Sequence, residues 1–123
     1  TVQRFGSKEL VAIAERKMGG ETITTELQQH LTPWLAELKK KKKVVLGCTH
    51  YPLQSDELKA CWPHIEWIDT GEAVARQAAR IFPASTTGNQ QINLCWTGTQ
   101  CPRGVSQFLA QYGHVEQAGS LNK

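Results

Sequence analysis

Val44-Val45-Leu46-Gly47-Cys48-Thr49-His50-Tyr51-Pro52-Leu53 passes from three apolar residues to a set of polar, reactive ones. Val44 to Leu46 make a continuous apolar run, which predicts a short strand buried on both faces. Gly47 ends that strand and lets the backbone turn tightly. Cys48, Thr49 and His50 then fall just past the strand's carboxyl end, where open α/β sheets bind their ligands. A thiol and an imidazole two residues apart, on a loop anchored by a strand, are the parts of a proton-transfer or nucleophilic site.

Outward from this stretch, helix and strand patterns alternate. Ser7 is a candidate N-cap for a helix over Lys8 to Met18, with Gly19 as its C′ residue. The apolar block Leu10 to Ala14 can equally be an extended segment that enters a site with Glu15 at its end. Thr25-Glu26-Leu27-Gln28 fits a capping box, and Leu27, Leu31, Trp34, Leu35 and Leu38 form an amphipathic stripe behind it. Pro33 is expected to kink or restart that helix, and Lys39 to Lys43 to close it. Beyond the central loop, Ser55 caps a short helix to about Ala60 that Pro63 stops. Ile65 to Asp69 alternates as a strand, and Glu72 to Phe82 is an Ala-rich helix. Pro83 to Gln91 is a polar loop, Ile92 to Trp96 a strand, and Pro102 to Tyr112 a helix with Pro102 at N1. His114 to Lys123 reads as one more short strand. Such alternation implies an α/β fold with parallel strands and right-handed crossovers.

The chain has 123 residues, enough for one modest domain. No apolar run approaches the roughly 18 residues of a membrane span, and the first residues lack an apolar signal region. The opening Thr1-Val2-Gln3-Arg4-Phe5 has no initiator Met, which suggests a fragment or a processed chain. The formal charge is +3; setting aside the five lysines 39 to 43 leaves −2, so the basic character is local and does not form the stripe of a nucleic-acid domain. Cys48, Cys61, Cys95 and Cys101 are too sparse for a disulfide scaffold and read as reduced thiols in a cytoplasmic protein.

The Cys48–His50 pair admits several chemistries. The imidazole can help form a thiolate that attacks a carbonyl, or a thiolate that removes a proton. Taking the α-proton from a free amino acid without a cofactor needs a desolvated base and fixed donors for the charge that develops. The backbone N–H groups of Thr49 and His50 and the Thr49 hydroxyl lie where they could hold a carboxylate. A metal reading joins Cys48-x-His50 to Cys61-x-x-His64 as a structural zinc site, although the first half is tighter than the usual spacing. The plainest reading is a structural cysteine and a hydrogen-bonded histidine on an ordinary loop.

Val45 to Leu53 as a whole resembles the second catalytic-cysteine motif of the glutamate racemases, which are cofactor-independent. Leu10 to Glu15 is similar to the family segment that ends in an acidic residue, and Leu31-Thr32-Pro33-Trp34-Leu35 to the helix before the motif strand. Ile68-Asp69-Thr70-Gly71-Glu72-Ala73 resembles the Asp-Ser-Gly segment after it, with Thr70 in place of Ser. The likeness covers about residues 3 to 82; residues 83 to 123 match only in general pattern.

The resemblance implies two pseudo-symmetric, three-layer α/β lobes with parallel sheets, this chain being the C-terminal part. Residues 1–69 would belong to the second lobe and residues 70–123 would return to the first. It implies two-base interconversion of L- and D-glutamate, serving peptidoglycan and cell shape, with no cofactor and no metal. Cys48 would be the acid and base on one face of glutamate. Thr49 would bind the carboxylate, His50 would orient and tune the thiol and contact substrate, and Glu15 would assist. No motif for the opposite face is present, and Cys61, Cys95 and Cys101 read as structural. The chain alone is therefore expected to be inactive, and the N-terminal half or a homodimer to cover its open surfaces. An aspartate-type racemase and a zinc-stapled or basic binding module are the alternatives; neither nucleic acid nor membrane is an expected partner.

Overall fold

Helix α1 spans Lys8–Met18 and begins where its cap predicts, with Ser7 Oγ accepting the Leu10 N–H at 3.2 Å. Its end differs from expectation. Gly20, not Gly19, takes the left-handed conformation, at φ +90°. The Gly20 and Glu21 N–H groups return to Lys17 O and Arg16 O, a Schellman closure one residue later than predicted. The computed structural model describes residues 2–38, 42–82 and 91–121.

Helix α2 covers Thr24–Glu37. Thr25 and Gln28 form no capping box: Ile23 is the N-cap, and no side chain bonds there. Ile23 is 3% exposed and its carbonyl accepts the Leu27 N–H, so burial moves the helix start back. Pro33 does not restart the helix, because the buried Leu31 and Leu35 on either side keep it packed. The predicted stripe holds: Leu27, Leu31 and Leu35 are buried, and Trp34 and Leu38 pack on the same cluster. Of the lysine run, 39–41 lie outside the described residues. Lys42 Nζ donates to Leu35 O at 2.6 Å, which satisfies a carbonyl at the helix end.

Strands β1 (Lys43–Leu46) and β2 (Glu66–Asp69) pair in parallel, with Val44 opposite Trp67 and Leu46 opposite Asp69. A 3-10 turn over Tyr51–Gln54 runs directly into helix α3, Ser55–Cys61. Ser55 is thus the first helical residue, and Gln54 is the N-cap. Leu10, Ile13, Ile23, Leu27, Leu31, Leu35, Leu46, Leu58 and Ile65 form one core cluster. Val44 and Leu46 turn toward that core, whereas Val45 is 58% exposed. The expectation of a strand buried on both faces is therefore corrected: helices cover one side of β1 and leave Val45 in the open.

Helix α4 (Gly71–Ile81) has no buried residue. The predicted polar loop lies outside the described residues over 83–90. Strands β3 (Gln91–Trp96) and β4 (His114–Ser120) form a second parallel pair, with a register shift between Leu94 and Cys95. Pro102 does not open the helix between them. Helix α5 spans Val105–Ala110 and follows Gly104, whose φ of +75° breaks the chain direction after Pro102. Parallel pairing in both sheets matches the α/β expectation. Among the described residues, no helix is long and apolar enough to cross a membrane.

Gly104 also ties this second pair to α1. A Cβ there would stand 2.2 Å from Met18 O and 2.6 Å from Gly19 N, both backbone atoms. Gly104→Ala is therefore expected to cost about 1–3 kcal/mol from the left-handed backbone alone, with the backbone overlap in addition. Thermal unfolding should show the loss, and amide exchange should quicken in β3 and β4 before β1 and β2. Unchanged stability would mean that the α1–α5 junction carries no load.

Candidate active site

The candidate residues sit on a loop at the carboxyl end of β1. The Gly47 N–H turns back to Val45 O at 3.1 Å, and Cys48 to His50 form a bend. His50 O then accepts the Leu53 N–H, which starts the 3-10 turn. The sequence Gly-Cys-Thr-His-Tyr-Pro thus folds as a tight link between strand and turn, with the three candidate side chains projecting from consecutive residues.

Those side chains meet. Cys48 Sγ lies 3.9 Å from His50 Nδ1, and Thr49 Oγ1 lies 3.4 Å from the same nitrogen. His50 Nε2 lies 3.6 Å from Glu15 Oε1. The imidazole therefore links a thiol on one side to a carboxylate on the other. With Nε2 protonated and directed at Glu15, Nδ1 is free to take a proton from sulfur; with both nitrogens protonated, the ring lies between a thiolate and a carboxylate. Thiol, imidazole and carboxylate follow one another here in the order in which activated-thiol sites arrange nucleophile, base and orienting acid. Glu15 reaches it from α1, which resolves the earlier choice between a helix and an extended segment in favour of the helix. Thr49 is exposed, with its hydroxyl directed at the ring.

The remaining cysteines stand apart from this group. All four are free thiols; Cys48, Cys61 and Cys101 are half-buried and Cys95 is exposed. Among the described residues no three His, Cys, Asp or Glu side chains are placed to share a metal ion, so Cys48, His50, Cys61 and His64 do not assemble the zinc site. Lys43 of the basic run pairs with Glu66 at 3.0 Å.

A cleft of about 1120 Å³ runs beside β1, lined by Phe5, Trp34, Leu38 and Trp67, by charged residues that include Arg4 and Glu37, and by Cys48. Thr49, His50 and Glu15 do not line it. Cys48 is thus the residue common to the cleft and to the polar group.

Several supporting contacts carry no signal in the sequence. The Tyr51 hydroxyl donates to Ser7 O and accepts from Ser7 N–H, each at 3.3 Å. Ser7 Oγ meets His30 Nε2 at 2.6 Å, and Phe5 stacks on Trp34 beside it. Gln54, 1% exposed, donates Nε2 to Leu10 O at 2.9 Å. These bonds fasten the loop to the first turn of α1 across 44 residues of sequence.

No protein-family model matches the chain. It is 51% identical over 117 residues to a glutamate racemase of Pectobacterium carotovorum subsp. carotovorum (strain PC1), a match that covers 89% of this chain and 40% of that protein. It is 42% identical over 128 residues to a glutamate racemase of Histophilus somni (strain 129Pt), covering 99% of this chain and 47% of that one. The fold superimposes on the crystal structure of Escherichia coli glutamate racemase in complex with L-glutamate and the activator UDP-MurNAc-ala, with a TM-score of 0.73 and 30% identity. That match takes in 98% of this chain and 47% of the other. The likeness thus runs well past residues 3 to 82, and the chain spans about half the length of the curated relatives it matches.

Gln54 offers a test of the site's support. Its Oε1 is buried without a protein partner, a cost of about 1–3 kcal/mol, while its Nε2 bond returns about 1 kcal/mol. Gln54→Leu keeps the volume and removes both, so thermal stability should be unchanged or slightly higher. A loss above about 2 kcal/mol would show that the bond to Leu10 outweighs the stranded carbonyl.

Proposed function

We propose that this chain, related to the glutamate racemases over about half their length, carries one proton-transferring half of a glutamate racemase site. The observation that supports this most is the alignment of Cys48 Sγ, His50 and Glu15 Oε1 at the carboxyl end of β1. In this reading the Cys48 thiolate takes the α-proton from one face of glutamate and leaves a carbanion. A thiol on the opposite face then donates a proton to the same carbon, inverting it. The reverse path uses the same two groups with their roles exchanged.

His50 receives the proton that the Cys48 thiol gives up when the thiolate forms, and Glu15 keeps the ring turned toward the sulfur. The Thr49 hydroxyl and the adjacent backbone N–H groups receive the substrate carboxylate, which lowers the energy of the carbanion. The cleft beside Cys48 is open in this chain, and the thiolate is shielded from water only once the opposite half of the site covers it. No cofactor takes part. The product, D-glutamate, serves cytoplasmic peptidoglycan synthesis.

The second base is assigned to a residue outside these 123, a reading supported by the absence of Cys61, Cys95 and Cys101 from the lining of the cleft that Cys48 borders. Residues 1–69 then belong to the lobe that carries Cys48, and 70–123 return to the partner lobe. Support comes from the core cluster, whose members all lie between Leu10 and Ile65, and from α4, which buries nothing here.

Two measurements test the reading. The chain alone, incubated with L-glutamate, should form no D-glutamate by chiral chromatography; measurable D-glutamate would overturn the half-site assignment. Iodoacetamide, followed by peptide mass mapping, should label Cys48 faster than the similarly half-buried Cys61 and Cys101. His50→Gln should slow Cys48 labelling by on the order of tenfold. Equal labelling in parent and variant would remove His50 from the mechanism.

A further inference from the structure

The contact between His50 and Glu15 does not hold itself in place. It is 3.6 Å long, and its side chains are 36% and 63% exposed. Exposed pairs of this kind contribute little to order, because solvent screens them and two side chains must be fixed to make them. Something else must keep the end of α1 level with the loop.

Three anchors join α1 to the 3-10 turn, and two of them act at its start. Tyr51 holds Ser7, and Gln54 holds the carbonyl of Leu10. Glu15 lies beyond both, in the second half of the helix. The face of α1 that meets the turn carries Leu10, Ile13 and Ala14, all buried. Lys17 continues that face at the i, i+3, i+4, i+7 spacing, so a cation stands where the pattern calls for an apolar residue. Its side chain is only 28% exposed.

Lys17 has specific partners there. Its Nζ donates to Leu53 O at 2.8 Å and to Glu57 Oε2 at 2.7 Å. Leu53 is the residue whose own N–H donates to His50 O at 3.1 Å. The ammonium thus grips one end of a residue whose other end grips His50. Two residues back along α1, Glu15 reaches the same histidine. Glu57, itself 21% exposed at the side chain, supplies the counter-charge that lets Lys17 remain half-buried.

We infer that Lys17 is a positioning residue: through Leu53 and Glu57 it holds the last turns of α1 against the loop and so keeps Glu15 within reach of His50. This rests on the reading of Cys48, His50 and Glu15 as the proton-transfer group. Lys17 touches no reacting atom. Its effect is on where Glu15 stands.

The test uses the full chain. Lys17→Met keeps the aliphatic stem and removes the charge; Lys17→Arg keeps a donor able to meet both oxygens. With folding checked by circular dichroism, the nuclear Overhauser contact between the Glu15 γ-protons and the His50 ring should be lost in Lys17→Met and regained in Lys17→Arg. Iodoacetamide labelling of Cys48 should fall in Lys17→Met to the rate of Glu15→Gln and recover in Lys17→Arg. A folded Lys17→Met that keeps the contact overturns the inference, whatever its melting temperature. If Lys17→Met does not fold, Glu57→Gln carries the test: the contact should weaken, and an unchanged contact overturns the inference. Failure of the site reading looks different. Glu15→Gln would then label at the parent rate, while loss of the contact in Lys17→Met would still assign Lys17 its role.

Discussion

The seam between helix α1 and the turn Tyr51–Gln54 constrains everything else in this molecule. A strand fixes where a loop begins but not where the loop points. Here the strand ends at Leu46, and within eight residues the chain has bent, tightened into a 3-10 turn and met α1. Apolar burial by Leu10, Ile13 and Ala14 supplies the adhesion. Direction comes from polar bonds at the same seam, because a hydrogen bond has one geometry and an oily contact has many. Tyr51, Gln54 and Lys17 each tie a side chain to a backbone carbonyl across it. Cys48 and His50 are neighbours on one loop, and this seam is what brings the Glu15 carboxylate to them from another element.

Much of that was legible before any coordinates. Helix α2 announces itself through Leu27, Leu31 and Leu35, because burial of one stripe is what makes a helix stay on a core. The parallel pairing of β1 with β2 follows from a helix lying between two short apolar runs. Cys48, Thr49 and His50 were readable as a group because they are neighbours in sequence. Spacing offers Glu15 only as the end of an extended segment, and that segment is helical. The place of Glu15 beside His50 came from likeness to a family, and the structure supplies the distance.

What escaped reading has a common physical cause. Local signals compete with burial, and burial wins. Thr25 and Gln28 have the residue types of a capping box, yet Ile23 drops into the core and starts the helix earlier. Pro102 suits a first helical turn, but Gly104 must lie flat against the Met18–Gly19 peptide, so the helix waits until Val105. Val45 belongs to an apolar run, yet a strand presents alternate sides and only one side is covered. Lys17 is the clearest case: as a bare residue type it reads as solvated, and only the fold shows a carbonyl and a carboxylate waiting for it.

Helix α4 has a thermodynamic consequence. Eleven residues are fewer than an isolated helix needs to be more than marginal in water, and among the described residues none of its side chains is buried to supply tertiary packing, the usual remedy. Its order is therefore not part of the cooperative transition that melts the core. A calorimeter heating this chain would record an enthalpy belonging to fewer residues than the polypeptide has, and a per-residue value taken from that trace would come out too small.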